Sequence, residues 1–178
     1  MNFKAFSLVL ISVISFAVTS AQTFKVGDVA PSFTLPFATK DTVISSGIHV
    51  GGPGSASLTI LAFYPADWSG GCTTEMCTMR DSFTELSALG ATVYGISGDY
   101  VSSHREWAKH LNLQFGLFSD HDHAVAKQYD SYNEKTGYNK RTIYVIDREG
   151  RIAYMDLAYS ARSSDSFDRL KLALQGMK

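Results

Sequence analysis

"LTILAFYPADWSGGCTTEMCTMRD", residues 58–81, decides the fold. Leu58–Tyr64 is a short apolar run that ends at Pro65, as a buried strand does when the next residue has no N–H to offer a neighbour. From Cys72 the period changes. Met76, Met79, Phe83, Leu86 and Leu89 recur at three- and four-residue spacing and Gly90 closes the run, which predicts a helix with one buried face.

Working outward, "ATVYGISGD" (91–99) reads as a second buried strand, Ser102–Leu111 as a helix and "FGLFSD" (115–120) as a short strand. Ala124–Tyr129 reads as helical, "RTIYVIDREGRIAYMDL" (141–157) as a hairpin turning at Asp147–Gly150, and Ser166–Leu174 as a closing amphipathic helix. Gly47–Ser57, rich in glycine, reads as a surface loop. Strands alternating with helices and ending in a hairpin predict an α/β fold, helices packed around a mixed sheet.

The first 21 residues, Met1–Ala21, place one lysine ahead of an apolar run from Ala5 to Val18 and a small-residue exit at Thr19-Ser20-Ala21. That is the pattern of a cleavable secretory signal peptide. As a membrane anchor the run is too short, because fourteen residues rise about 21 Å against a hydrocarbon core of ~30 Å. The expectation is a secreted or periplasmic protein without stable membrane insertion, its residues 22–178 forming one domain. Acids and bases are interspersed at a formal charge of −1 with no basic block, so nucleic acid is not the expected partner. With 45% hydrophobic and 12% aromatic residues the chain has enough apolar surface to fold rather than stay disordered.

An exported chain with two cysteines, Cys72 and Cys77, invites the assumption of a structural disulfide. A bridge closing so short a loop would constrain the unfolded chain little, and a domain of this size does not need it. Cys72 instead falls in the first turn of a helix, where unpaired N–H groups and the positive end of the dipole favour a thiolate. Ser69, three residues earlier, can cap that helix or hydrogen-bond whatever meets the sulfur.

Pro65, Ser69 and Cys72 fit the pattern P-x-x-x-[TS]-x-x-C, which resembles the active-site signature of the peroxiredoxins. "VGDVAPSFTLP" (26–36), "GISGD" (95–99), "FSDHDHAVAKQY" (118–129) and "KRTIYVIDREGRI" (140–152) follow in that family's order. "CTTEMCTMRD" is similar to the Q-type, or bacterioferritin-comigratory, branch, while "YNEKTGYNKRTIYVID" also resembles one-cysteine relatives. The resemblance implies a thioredoxin-like fold and a thiol peroxidase with a hydroperoxide substrate and a thioredoxin-like or other dithiol reductant. It further implies a monomer or weak homodimer and no metal or organic cofactor.

Residue by residue, the resemblance makes Cys72 the attacking cysteine, with Pro65 shielding it and Ser69 beside it in threonine's place. Arg141 brings a positive charge from far along the chain, and Glu75 is expected to orient that arginine. On residue type alone Arg141 reads first as a surface charge at the start of a strand, and Glu75 as an acid that the helix dipole stabilises anyway. The chain departs from the family where Ser69-Gly70-Gly71-Cys72 replaces Thr-Pro-Gly-Cys. Trp68 is also unexpected, and reads as a lid, a docking surface for a reductant, or packing.

Within this family reading Cys77 is the expected resolving cysteine. Five residues of α-helix separate Cα atoms by roughly 8.6 Å, whereas a disulfide needs about 4.4–6.8 Å. A permanent bridge contradicts the helix; a transient one, formed after the first turn unwinds, does not. The alternative keeps Cys77 as a core thiol and Cys72 acting alone. Two other functions compete: an exported thiol–disulfide oxidoreductase, disfavoured by the lack of C-x-x-C, and a non-catalytic redox-responsive binding module. Asp120-His121-Asp122-His123 reads as a polar turn rather than a metal cluster, since neighbours in a turn converge poorly on one ion.

Overall fold

The computed structural model describes residues 24–177; Met1–Ala21, the segment expected to be a signal peptide, lies outside them. Seven strands form one mixed sheet in the order β2-β1-β5-β4-β3-β8-β9. At its centre β3 (Leu58–Phe63) runs parallel to β4 (Ala91–Ser97), and β4 runs parallel to β5 (Gly116–Ser119). β8 (Thr142–Ile146) pairs antiparallel with β3, and β9 (Ile152–Asp156) closes that edge in the expected hairpin.

The central strands are mostly apolar because both faces are covered. In β3, Leu58, Ile60 and Ala62 face one core cluster while Leu61 and Phe63 face the other; in β8, Ile143 and Val145 oppose Tyr144 and Ile146 in the same way. The first cluster is closed by α1 (Gly70–Asp81), α2 (Phe83–Ala88), α3 (Val101–Leu111) and α5 (Ser164–Gln175), through Met76, Leu86, Trp107 and Leu170 among others. The second is an aromatic layer under α4 (Ala124–Gln128), where Phe33, Phe63, Phe118 and Tyr129 pack ring against ring.

Two expectations need correction. The single helix predicted from Cys72 to Leu89 starts earlier, at Gly70, and breaks at Ser82, whose φ of −99° and ψ of 7° end α1 before α2 begins. Met76, Met79, Leu86 and Leu89 keep facing the same cluster across that break, so the apolar spacing survives it. The loop read at Gly47–Ser57 is a loop only in its second half. Gly47–Val50 completes β2 (Val43–Val50), which pairs antiparallel with β1 (Phe33–Ala38), a strand the sequence pattern did not reveal. The ladder shifts register between Leu35 and Phe37, where Pro36 has no N–H to give, and Gly47 takes φ +86° facing that bulge. An edge strand interrupted by the Ser45-Ser46-Gly47 bulge carries little continuous alternation to read.

The remaining segments of the sheet's second half bring Arg141 into place. A two-stranded ribbon, β6 (Tyr132–Asn133) with β7 (Tyr138–Asn139), precedes β8. The 120–123 turn acts as a helix start: Asp120 is buried and accepts from the N–H groups of Val125 at 3.1 Å and Ala126 at 2.7 Å. No helix among the described residues is long and apolar enough to cross a membrane.

Candidate active site

β3 ends inside the core at Phe63, and the chain needs only Tyr64–Ser69 to turn from strand to helix. Pro65 stands half-buried just past the strand, and Ser69 is the N-cap of α1 with extended φ −78° and ψ 143°. Its hydroxyl makes no capping bond, although its carbonyl accepts from Thr73 N–H at 2.9 Å. Cys72 is therefore the third residue of α1, on the face that carries Met76 and Met79, and its side chain has no exposure.

Arg141, at the mouth of β8, reaches this buried sulfur. β8 lies beside β3 with Thr142 opposite Phe63, so the residue before β8 arrives level with the strand-to-helix turn. Arg141 Nη2 donates to Cys72 Sγ over 3.3 Å, and Nη1 donates to Glu75 Oε2. Glu75 is wholly buried and its Oε1 has no partner among the described residues. Burial pushes the Glu75 carboxyl up from 4.5 to about 7, and the adjacent Arg141 charge only partly counters this. Burial opposes the Arg141 charge, but Glu75 and Cys72 outweigh it and hold the guanidinium above its ordinary value.

The loop glycines have different neighbours. A Cβ at Gly70 would meet nothing within 4 Å, whereas one at Gly71 would lie 3.3 Å from Arg141 Nη2. Gly71 thus leaves the guanidinium room beside the sulfur.

The structure brings together Cys72, Arg141 and Glu75, with Pro65 and Ser69 on the turn leading into them. Cys77 sits five residues on in the same unbroken helix, half-buried at the margin of the main core, and both cysteines are free thiols. Trp68 turns elsewhere. With φ of 60° it lays its ring on α3, donating from Nε1 to Ser103 Oγ at 3.3 Å, with its centroid 5.3 Å from that of His110. At 55% exposure it is a surface side chain docked on α3 rather than a closed lid.

Two features escaped the sequence reading. Tyr159 is buried within range of the Arg141–Glu75 pair; its phenol is pushed up by burial first and then by the Glu75 charge. It lies in an aperiodic stretch that gave no signal. His104 is buried as well, and here a signal existed: with Trp107, Ala108 and Leu111 it completes the inward stripe of α3 at helical spacing.

A buried thiol under a guanidinium, with the guanidinium tethered by a buried carboxylate, is suited to an attack in which negative charge develops on a departing oxygen. Comparison with known proteins agrees. The AhpC/TSA family model matches residues 26–155. The putative peroxiredoxin bcp of Coxiella burnetii is 36% identical over 74% of this chain and 87% of its own length. The chloroplastic peroxiredoxin Q of Triticum aestivum is 38% identical over 72% of this chain, which spans only 57% of that longer protein. Among solved structures, peroxidoxin BcpB from Mycobacterium tuberculosis superposes with a TM-score of 0.71 at 26% identity, over 88% of this chain and 99% of that one.

Proposed function

Because the chain belongs to the AhpC/TSA family, as a peroxiredoxin of the Bcp and Q kind and hence a thiol-dependent peroxidase, we propose that Cys72 attacks hydrogen peroxide and alkyl hydroperoxides. The thiolate displaces one peroxide oxygen in line: the S–O bond forms, the O–O bond breaks, and the departing alkoxide or hydroxide takes a proton to become alcohol or water. Cys72 is left as sulfenic acid. Arg141 holds the thiolate and meets the charge on the leaving oxygen, Glu75 fixes the arginine's fork, and Ser69 and Pro65 complete the wall.

The observation that carries this reading is the zero exposure of Cys72 beneath Arg141. A sulfur so enclosed needs only a small local opening to meet the slender end of a hydroperoxide, while attack on a protein disulfide needs a widely accessible thiolate. This favours the peroxidase over a thiol–disulfide oxidoreductase, and a buried thiol with its own cation favours it over a passive binding module.

In the second step Cys77 condenses with the sulfenic acid, releasing one water and forming a transient Cys72–Cys77 disulfide that an external dithiol, thioredoxin-like or otherwise, reduces. Two observations support this step: Cys77 lies on the same helix, and no other cysteine exists in the chain. The export pattern of Met1–Ala21 supports a secreted or periplasmic enzyme, acting as a monomer or weak homodimer without metal or organic cofactor.

The test is mass spectrometry of reduced protein titrated with peroxide, beside stopped-flow oxidation kinetics. One equivalent should first add one oxygen to Cys72; loss of one water on forming the disulfide should then leave the protein two hydrogens lighter than its reduced form. The Cys72→Ser variant should consume no peroxide; near-normal turnover in it would end the peroxidase reading.

A further inference from the structure

Beside the reacting centre lies a second buried polar cluster that the peroxide chemistry leaves unused. Asp67, inside the strand-to-helix turn, and His104, on α3, have fully buried side chains. Asp67 Oδ2 lies 3.0 Å from His104 Nδ1 and accepts from Ser103 Oγ at 2.8 Å, while Oδ1 accepts from Tyr64 OH at 2.8 Å. Asp67 N–H donates to Asp99 Oδ2 at 2.9 Å.

The far side of the imidazole is held as well. His104 Nε2 lies 3.0 Å from the carbonyl oxygen of Phe118, which only accepts, and Nδ1 faces a carboxylate. Nε2–H donates to that carbonyl and Nδ1 shares a proton with the Asp67 carboxyl, so the ring is held at both ends. Replacing either side chain leaves the other buried polar group without its partner. The pair's direct structural effect is to hold the turn against β4, α3 and β5. The same Ser103 hydroxyl accepts from Trp68 and so helps to hold its left-handed backbone.

We propose that His104 and Asp67 are positioning residues for the peroxide-attack step: they pin the middle of the Tyr64–Ser69 turn to the rigid sheet, and thereby fix Pro65 and Ser69 around the Cys72 sulfur. The proposal rests on the peroxidase reading and deepens it. The anchor acts before oxidation. Gly70 and Gly71 lie between it and Cys72, so the helix start can unwind afterwards while the anchor stays in place.

Three measurements test this, with wild-type oxidation of Cys72 as the control for the underlying reading. In Asp67→Asn and in His104→Gln the second-order rate of Cys72 oxidation should fall at least ten-fold, whereas the first-order rate of disulfide formation should not fall. The double variant, with neutral amides at both positions, should lose no more than the worse single variant. Amide exchange in the reduced singles should rise across 66–72 and stay unchanged in β3. Ser103→Ala, the mildest change, should slow oxidation by a few-fold even if a charge-removing variant does not fold.

In nitrogen-15 spectra of the wild type, both His104 ring nitrogens should show hydrogen-bonded shifts. Ring nitrogens without hydrogen bonds, additive losses in the double variant, oxidation rates within two-fold of wild type, or equal slowing of both steps would each overturn the assignment. A failure of wild-type Cys72 to react with peroxide would instead sink the peroxidase reading, while the exchange and nitrogen-15 measurements would still report on the anchor.

Discussion

Arg141 Nη2 lies 3.3 Å from Cys72 Sγ although 69 residues of chain separate them. The pairing of β8 with β3 closes that distance, and the same guanidinium binds Glu75 through Nη1. One planar cation therefore faces a nucleophile and a buried carboxylate at once, an arrangement that a lysine's single ammonium does not reproduce. Arg141→Ala should lower the second-order rate of Cys72 oxidation by about 10²-fold, the usual loss when a preorganised donor to a developing anion is removed. Arg141→Lys should fall between that variant and wild type. Stopped-flow kinetics measures both, and an unchanged rate in Arg141→Ala would remove this arginine from the mechanism.

Glu75 sets a pH dependence of stability. Its carboxyl is raised from 4.5 in ordinary surroundings to about 7 in the fold, burial being the main cause. A raised value means the folded state holds the proton more tightly. The contribution is fully present below about pH 4.5, declines as pH rises, and is lost through pH 7. Urea unfolding at pH 5 and pH 8 should show wild type losing up to about 3 kcal/mol relative to Glu75→Gln between those conditions. A difference that is constant with pH would show that Glu75 does not titrate in this window.

The two glycines ahead of Cys72 should respond oppositely. Gly70 is the first residue of α1, Ser69 before it already has the extended backbone a following proline requires, and a Cβ there meets nothing. Gly70→Pro should stabilise the fold by about 0.4–1 kcal/mol and slow disulfide formation roughly two- to five-fold if that energy is lost on unwinding. Gly71→Ala would press on Arg141 from 3.3 Å. It should slow peroxide attack without lowering the unfolding midpoint, and a normal attack rate would mean that the guanidinium can yield.

These contrasts follow what the sequence could and could not carry. Leu58–Tyr64 was legible because a strand buried on both faces is apolar at nearly every position, Thr59 being the exception. The helix was legible because its apolar spacing outlasts the break at Ser82. β2 was not, because an edge strand with a bulge at Gly47 has no face pattern to preserve. Within the site, Cys72 and Ser69 could be reasoned from local spacing, but Arg141 was reached only through family resemblance, since nothing near it in the chain announces the sulfur. Asp67 and His104 come from segments 37 residues apart, and their pairing belongs to the packing of α3.

Ser69 separates capping from catalysis. It occupies the N-cap position, yet its hydroxyl makes no capping bond. Ser69→Ala should therefore cost less than the about 0.5–2 kcal/mol typical of a lost cap, while slowing Cys72 oxidation. Chemical denaturation and stopped-flow kinetics on the same preparation decide the matter: a large stability loss with an unchanged oxidation rate would make Ser69 a cap alone.

Oxidation should melt the start of α1. In the intact helix, Cα atoms five residues apart stand roughly 8.6 Å from each other, beyond the reach of a disulfide. Bridging Cys72 to Cys77 therefore requires the first turn to open, and it also draws the sulfur away from Arg141. Amide exchange across residues 69–80 should rise once the disulfide forms, while β3, buried on both faces, stays protected. Cys77→Ser should block the bridge and leave Cys72 as sulfenic acid, prone to sulfinic and sulfonic forms under excess peroxide. The wild type should resist that damage better, because condensation removes the sulfenic acid before a second peroxide arrives. If alkylation finds Cys77 still free after oxidation of the wild type, or the bridge runs between two chains, unwinding of α1 is not the resolving step and Cys72 works without its neighbour.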